Sequence, residues 1–204
     1  MLLAKAIGFW GKLEGTVEIL VLGLVVFFAA HMVPTRPALR SALVERVGAL
    51  GYRAAHSVVA LVGFALIVYG YGMARDQGPA LVYDPPYWMR HVTMLLMLIA
   101  FIVLPASFLP GKIKAAVKHP MLVAVKAWAL SHLLVNGDLA SLVLFASFLA
   151  WAVYDRISMK RRPAPAPVKG PIVNDILVVV IGVVLYAAFV MKLHLWLIGV
   201  PVIG

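Results

Sequence analysis

The sequence predicts an all-α fold, a polytopic transmembrane bundle of about six helices, and three observations predict it. Of 204 residues, 64% are hydrophobic and 13% charged, against about 25% charged in a soluble domain. The apolar residues fall in runs of about 20, the length that crosses a bilayer. The breaks between runs alternate between basic and nearly neutral, as membrane loops do. Six such runs fill the chain and leave no room for a sizeable soluble domain.

Met1 to Leu13 carries Lys5 and Lys12 and lacks a continuous apolar core, so it reads as an interfacial amphipathic segment and not a signal peptide. The first span, 16–33, stops at Pro34 and Pro37, where a helix loses donors. A basic loop with Arg36, Arg40, Arg46 and Arg53 leads to the second span, 52–74, whose Ala60, Gly63 and Gly70 form a small-residue seam for a close helix neighbour. Gly78-Pro79 and Asp84-Pro85-Pro86 are turn signals before the third span, 88–109, which Pro105 kinks near its end. Pro110-Gly111 with Lys112, Lys114 and Lys118 makes a second basic loop. The fourth span, 120–135, begins at Pro120, favoured as a first helical residue, and ends at Asn136-Gly137. Asp138 is the N-cap of the fifth span, 138–154. Arg156, Lys160, Arg161 and Arg162 then precede an extended linker, Pro163 to Pro167, and the last span is 175–197.

The net charge of +10 does not point to nucleic acid, because Lys and Arg sit between apolar runs and not along one face. They instead set orientation and meet lipid headgroups. Loops one, three and five are basic, which places them in the cytoplasm and both termini outside, with Lys5 and Lys12 pulling the other way. The chain has no cysteine, which excludes disulfides, thiolate metal sites and cysteine nucleophiles.

Ionisable groups in spans are costly and mark candidate functional positions. His132 shares a helix face with Ala129 and Asn136; it either hydrogen-bonds a neighbouring helix or ligates haem iron, for which neutral imidazole is a usual donor. His31, after Phe27-Phe28-Ala29-Ala30, faces inward or caps its helix end. His119 before Pro120 reads as a helix cap, and His56 as an interfacial residue. His91 stays open, and His194, in Lys192-Leu-His-Leu-Trp196, is read as an anchor. Lys126 snorkels to the boundary, pairs with Asp155, or holds a propionate or phosphate. Asp155-Arg156 marks the end of the fifth span. Phe145, Phe148 and Trp151 are packing aromatics.

The stretch His119-Pro-Met-Leu-x3-Lys-x-Trp-Ala-Leu-x-His-Leu-Leu-x-Asn-Gly-Asp-Leu-Ala-Ser, followed by Trp151-Ala-x-Tyr-Asp-Arg-Ile-Ser-x-Lys-Arg, resembles the NnrU family. Tyr83-Asp-Pro-Pro-Tyr-Trp88 with His91, and the Phe run ending at His31, resemble the same family. The resemblance implies a multi-pass protein of the bacterial inner membrane that supports expression or function of nitrite and nitric oxide reductases in denitrification. The family is related to plant zeta-carotene isomerase, a haem-b enzyme that rotates a cis double bond. That relation implies haem b, with His31 and His132 as iron ligands and His91 and His119 matching further histidines of its pattern. Ala129 stands where the isomerase has a cysteine, so exchange with a thiolate ligand is not available here. Ligands to one iron need similar depths, and His132 lies roughly 20 Å along its helix from His119. That leaves His31 with His132, through a fourth helix starting outside the bilayer, or His31 with His119.

Two readings follow. In one, the chain is a haem-b membrane protein, an isomerase-like enzyme or an accessory of denitrification responsive to nitric oxide. In the other, it is a non-enzymatic assembly factor for respiratory or denitrification reductase subunits. A membrane methyltransferase is a third reading, suggested by His-Pro at a helix start, but no acidic motif follows the fifth span.

Overall fold

The computed structural model describes residues 17–161 and 169–203. The amphipathic reading of Met1 to Leu13, the start of the first span and the Pro163 to Pro167 linker lie outside the described residues. The described chain is helical throughout, and its one β-type pairing is an isolated bridge between Leu81 and Asp138. Four helical stretches are long and apolar enough to cross a membrane: Pro37–Asp76, Met89–Ser107, Leu139–Lys160 and Ile172–Ile198. Two shorter apolar helices accompany them, Glu18–Met32 and Pro120–Val135. Large apolar side chains stand exposed along these helices, among them Val58, Leu61, Phe64 and Val184. That is the surface expected of helices solvated by lipid tails.

The chain divides into two compact units. The first holds the described residues up to Pro85 together with Asn136–Trp151. It contains α1 (Glu18–Met32), α2 (Pro37–Asp76) and the first part of α6 (Leu139–Lys160). Helices α1 and α2 pack closely because glycines remove the side chain at the crossing points. A Cβ on Gly63 would lie 2.5 Å from the Phe27 nitrogen, and one on Gly23 would lie 2.6 Å from the Ile67 nitrogen. Gly70 is equally tight against Leu20, and Ala74 is fully buried. The small-residue seam expected at Gly63 and Gly70 therefore exists, with Gly23 as the matching residue on α1. Across α6, the Tyr71 hydroxyl and Ser141 Oγ share a 2.9 Å hydrogen bond.

A backbone clamp closes the loop of this unit. Val82 N and Tyr83 N donate to the Gly137 carbonyl, and Leu139 N donates to the Ala80 carbonyl. A side chain on Gly137 would collide with the Tyr83 carbonyl. Asp138 Oδ1 accepts from Ser141 N at 2.9 Å, the N-cap expected of it. Burial and, second, the negative charge of Asp138 hold the Tyr83 phenol above its ordinary pKa.

The second unit holds Pro86–Val135 and the described residues from Ala152 onward. Here α3 (Met89–Val103) packs on α5 (Pro120–Val135) and on α7 (Ile172–Ala188). At Pro105 the end of α3 passes into a 3-10 turn, Pro105–Ser107. Gly182 lets α7 approach α3, since a Cβ there would sit 2.5 Å from Ile102 Cα. The short helix α4 (Lys112–Val117) is capped from a distance: Lys112 N and Ile113 N donate to the two Asp175 oxygens at 3.0 and 2.9 Å. Asn174 Nδ2 donates to the Pro110 carbonyl at 2.6 Å. Lys118, with φ 65 and ψ −47, is the centre of a γ-turn closed by His119 N on the Val117 carbonyl. It delivers the chain to Pro120, the first residue of α5, as expected. After α7 come a π-helical turn, Phe189–Leu193, and α8 (His194–Ile198), which ends at Gly199 in the left-handed conformation.

Several boundaries differ from those read in the sequence. The basic stretch after α1 is not a loop: Pro37 opens α2, which carries Arg40 and Arg46 before a break at Gly48 and Arg53 after it. Ala, Leu and Arg are strong helix formers, and a run of arginines is compatible with a helix lying outside hydrocarbon. Lys112 and Lys114 are helical for the same reason. Helix α6 continues to Lys160 rather than ending at Tyr154, and α7 begins at Ile172, before Asp175.

Candidate functional site

Histidines sit among the helices of both units, His31 with His56 in the first and His132 in the second. In the first, His31 lies one residue before the end of α1 and is half-buried. Its Nδ1 donates to the Phe27 carbonyl at 2.8 Å, because the residue four positions back on a helix is directly beneath it. A carbonyl can only accept, so Nδ1 carries the proton and Nε2 is the nitrogen with the lone pair. This bond goes to an interior carbonyl and not to the last carbonyls of the helix end, and it fixes the tautomer that a metal would need.

Aromatic rings surround this imidazole. Phe27 stacks on it at 4.0 Å between centroids, Trp151 meets it edge-on at 5.5 Å, and His56 lies at 5.4 Å. Phe148 packs against both Phe27 and Phe28. The Trp151 Nε1 donor is buried and has no hydrogen-bond partner, which is costly for an indole N–H. His56 was read as interfacial, and it also belongs to the ring cluster, one turn beyond Tyr52 at 6.0 Å.

In the second unit, His132 is held the same way: its Nδ1 donates to the Trp128 carbonyl at 2.9 Å. Its neighbours are polar and mutually satisfied. Ser131 Oγ donates to the Trp128 carbonyl at 2.8 Å, and Thr93 Oγ1 donates across from α3 to the Ser131 carbonyl at 2.9 Å. Ala129 is fully buried, and Asn136 falls one residue beyond α5, so the expected shared face runs only from Ala129 to His132. His119 is half-buried and directly precedes α5, its backbone carbonyl accepting from Val123 N at 3.2 Å. His91 is exposed on the first turn of α3, edge-on to Tyr87 at 6.1 Å. His194 donates from Nδ1 to the Val200 carbonyl at 2.7 Å and so fastens the turn after α8, beside the exposed Trp196. Lys126 is half-buried on α5, and Asp155 is buried in α6.

The family described as NnrU protein matches residues 19–202, nearly the whole chain. The chain belongs to the NnrU family. No curated protein and no solved structure matches it. In this NnrU protein, His31 and His132 share one local geometry, a bond from Nδ1 to the carbonyl four residues back. Among the described residues no group of three or more His, Cys, Asp or Glu gathers as a metal cluster. A porphyrin iron does not require one, since its ring supplies four donors and the protein only the axial imidazoles.

Tyr52, Thr93 and the indole of Trp151 took no part in the candidate set read from the sequence. Tyr52 had a local signal, its position four residues before His56 on one helix. Trp151 had none, because its meeting with His31 joins residues distant in the chain.

Proposed function

We propose that this NnrU-family chain is an integral protein of the bacterial inner membrane that binds haem b through His31 and His132 and thereby supports denitrification. The observation that carries the reading is the common tautomer: both histidines hold Nδ1 on a backbone carbonyl, as metal-bound histidines do when their second nitrogen is oriented by a partner. The unpartnered Trp151 donor beside His31 adds to the fit, because it suits an acceptor on a bound group. Haem, when bound, supplies a redox-active iron. The chain's own part is to hold each imidazole aligned, and in the first unit to wall it with Phe27 and Trp151. His119 and His91 are the next residues to test as contributors. An isomerase-like reaction has less support, because Ala129 offers no thiol.

The test is an absorption spectrum of the detergent-purified protein before and after dithionite, with a pyridine haemochrome assay. A Soret band with haem b near one per chain is expected, and its loss in His31→Ala and in His132→Ala. Full haem retention in both variants would sink this ligand assignment.

We further infer six crossings, with α1 and α5 as the two short ones. At 1.5 Å per residue they reach only about 23 Å, and a bilayer thins locally to meet such a helix. Because the chain lacks cysteine, single cysteines placed in each loop report sidedness without background. Labelling that alternates sides from loop to loop is expected.

The alternative is an assembly factor for reductase complexes. The satisfied network of His132, Ser131 and Thr93 favours it, since those groups already serve helix packing. It predicts a colourless protein that co-purifies with reductase subunits.

A further inference from the structure

Helix α2 is too long for the membrane it crosses. From His56 to Asp76 it rises about 30 Å, the thickness of the hydrocarbon core. With that stretch as the crossing, Tyr52 and Arg53 fall at headgroup level and residues 37–47 outside the hydrocarbon. Gly48 breaks the helix there, with φ 75 and ψ 163, a conformation open to glycine alone. A straight helix would hold positions 40 and 52 about 18 Å apart. At the bend, the Arg40 guanidinium instead sits 5.7 Å from the centre of the Tyr52 ring.

The arm before the bend is amphipathic. At 100° per residue, Leu39, Leu43 and Val47 form one stripe. Arg40 and Arg46 border it on either side, and Ser41 and Glu45 fall opposite. Leu39 and Val47 are 42% and 56% exposed among the described residues. At the elbow, the Tyr52 hydroxyl is buried and has no hydrogen-bond partner. A donor left bare beside a guanidinium asks for an anionic oxygen acceptor.

We propose that the elbow of α2 is a binding site for an anionic phospholipid. The headgroup phosphate accepts from Tyr52 Oη and from Arg40, with Arg46 on the far edge of the stripe. The acyl chains lie beside Leu39, Leu43 and Val47, which sink into the same leaflet. Charge complementarity selects this occupant over a zwitterionic lipid, and the apolar stripe selects a lipid over free phosphate. Arg40 and Arg46 take no part in the proposed haem ligation, while Tyr52 borders the ring cluster of His31 through His56.

Native mass spectrometry of the detergent-purified full chain, offered phosphatidylglycerol and phosphatidylcholine of identical tails, tests it. Wild type is expected to retain phosphatidylglycerol preferentially. The exposed double substitution Arg40→Gln with Arg46→Gln is expected to cut that preference about tenfold, and Tyr52→Phe about threefold. Arg90→Gln, which removes a guanidinium stacked on Tyr87 in the other unit, is expected to change nothing. Equal retention of the two lipids by wild type overturns the proposal. So does an unaltered preference in the double variant, or an equal loss in Arg90→Gln, which would reveal undirected charge attraction. Displacement of the lipid by equimolar inorganic phosphate would assign the site to free phosphate and also overturn it. The result reads the same in haem-free protein, so failure here and failure of the haem reading are separate outcomes.

Discussion

Between Leu20 and Gly70 the first unit sets backbone directly on backbone, whereas between Lys112 and Asp175 the second sets a carboxylate on backbone N–H groups. Both devices answer one difficulty. In lipid, burying leucine against leucine yields little, so helices need close van der Waals contact or polar bonds to stay together. The first unit relies chiefly on shape, with Gly23, Gly63 and Gly70 along one seam. The second uses Gly182 between helices and Gly170 against the Pro110 backbone, and adds polar fastenings at Asp175, Asn174 and Thr93. The histidines follow the same division. His132 sits among groups whose hydrogen bonds are made, while His31 sits among rings that include an unpartnered indole donor. The rings around His31 leave an indole donor for a ligand, whereas the groups around His132 have already used theirs.

The largest expected effect comes from filling the seam. Gly63→Leu places a side chain into the Phe27 backbone and is expected to cost about 3 kcal/mol or more, the upper range for overpacking. Even Gly63→Ala requires a shift of α1, whereas Gly72→Ala on the same helix, where nothing lies within 4 Å, is expected to stabilise by up to about 1 kcal/mol. Thermal midpoints of the detergent-solubilised variants, followed by size-exclusion chromatography, measure both. Equal midpoints for Gly63→Ala and Gly72→Ala would show that shape does not hold the first unit.

A smaller loss is expected in the second unit from Asp175→Ala, about 2 kcal/mol, because two N–H groups lose a charged acceptor. Asp175→Asn keeps one acceptor oxygen and is expected to lose about half as much. Hydrogen exchange at the Lys112 and Ile113 amides should rise in the alanine variant more than in the asparagine one. Unchanged exchange at both amides would remove the carboxylate from the account of what holds α4.

Much of this contrast was legible in the chain beforehand, and unevenly. Gly63 and Gly70 stand out because they recur on one face of an apolar run, and Asp138 and Pro120 because helix starts impose local chemistry. Those signals lie within a few residues. The Asp175 clamp joins positions about sixty residues apart, and neither partner looks unusual alone. The arm of α2 misled for a different reason: its arginines suggested a loop by charge, yet Ala, Leu and Arg are also helix formers, and only the elbow at Gly48 takes them off the membrane axis. Among the candidate site residues, His31 and His132 were visible as imidazoles in apolar surroundings. The ring contacts of His31 with His56 and Trp151 depend on how three helices meet, which no single run of sequence states.

The smallest effect sharpens the comparison at the loop clamp of the first unit, where polar bonds do the holding after all. Tyr83 is pinned through its backbone to Gly137, and its phenol is kept protonated by burial and then by the nearby Asp138. A folded-state pKa above the ordinary value of about 10 means that the folded protein binds this proton more tightly than the unfolded chain. The contribution is whole below about pH 10 and is lost as pH rises through the folded value. Tyr83→Phe removes the proton and with it this alkaline loss, so its thermal midpoint should fall less than that of wild type from roughly pH 10 upward. Phenolate absorbance near 295 nm should show one high-pH titration fewer in the variant. If the two proteins instead lose stability in parallel above that pH, the clamp is insensitive to the phenol and rests on its backbone bonds alone, which would make Gly137→Ala far more damaging than Tyr83→Phe.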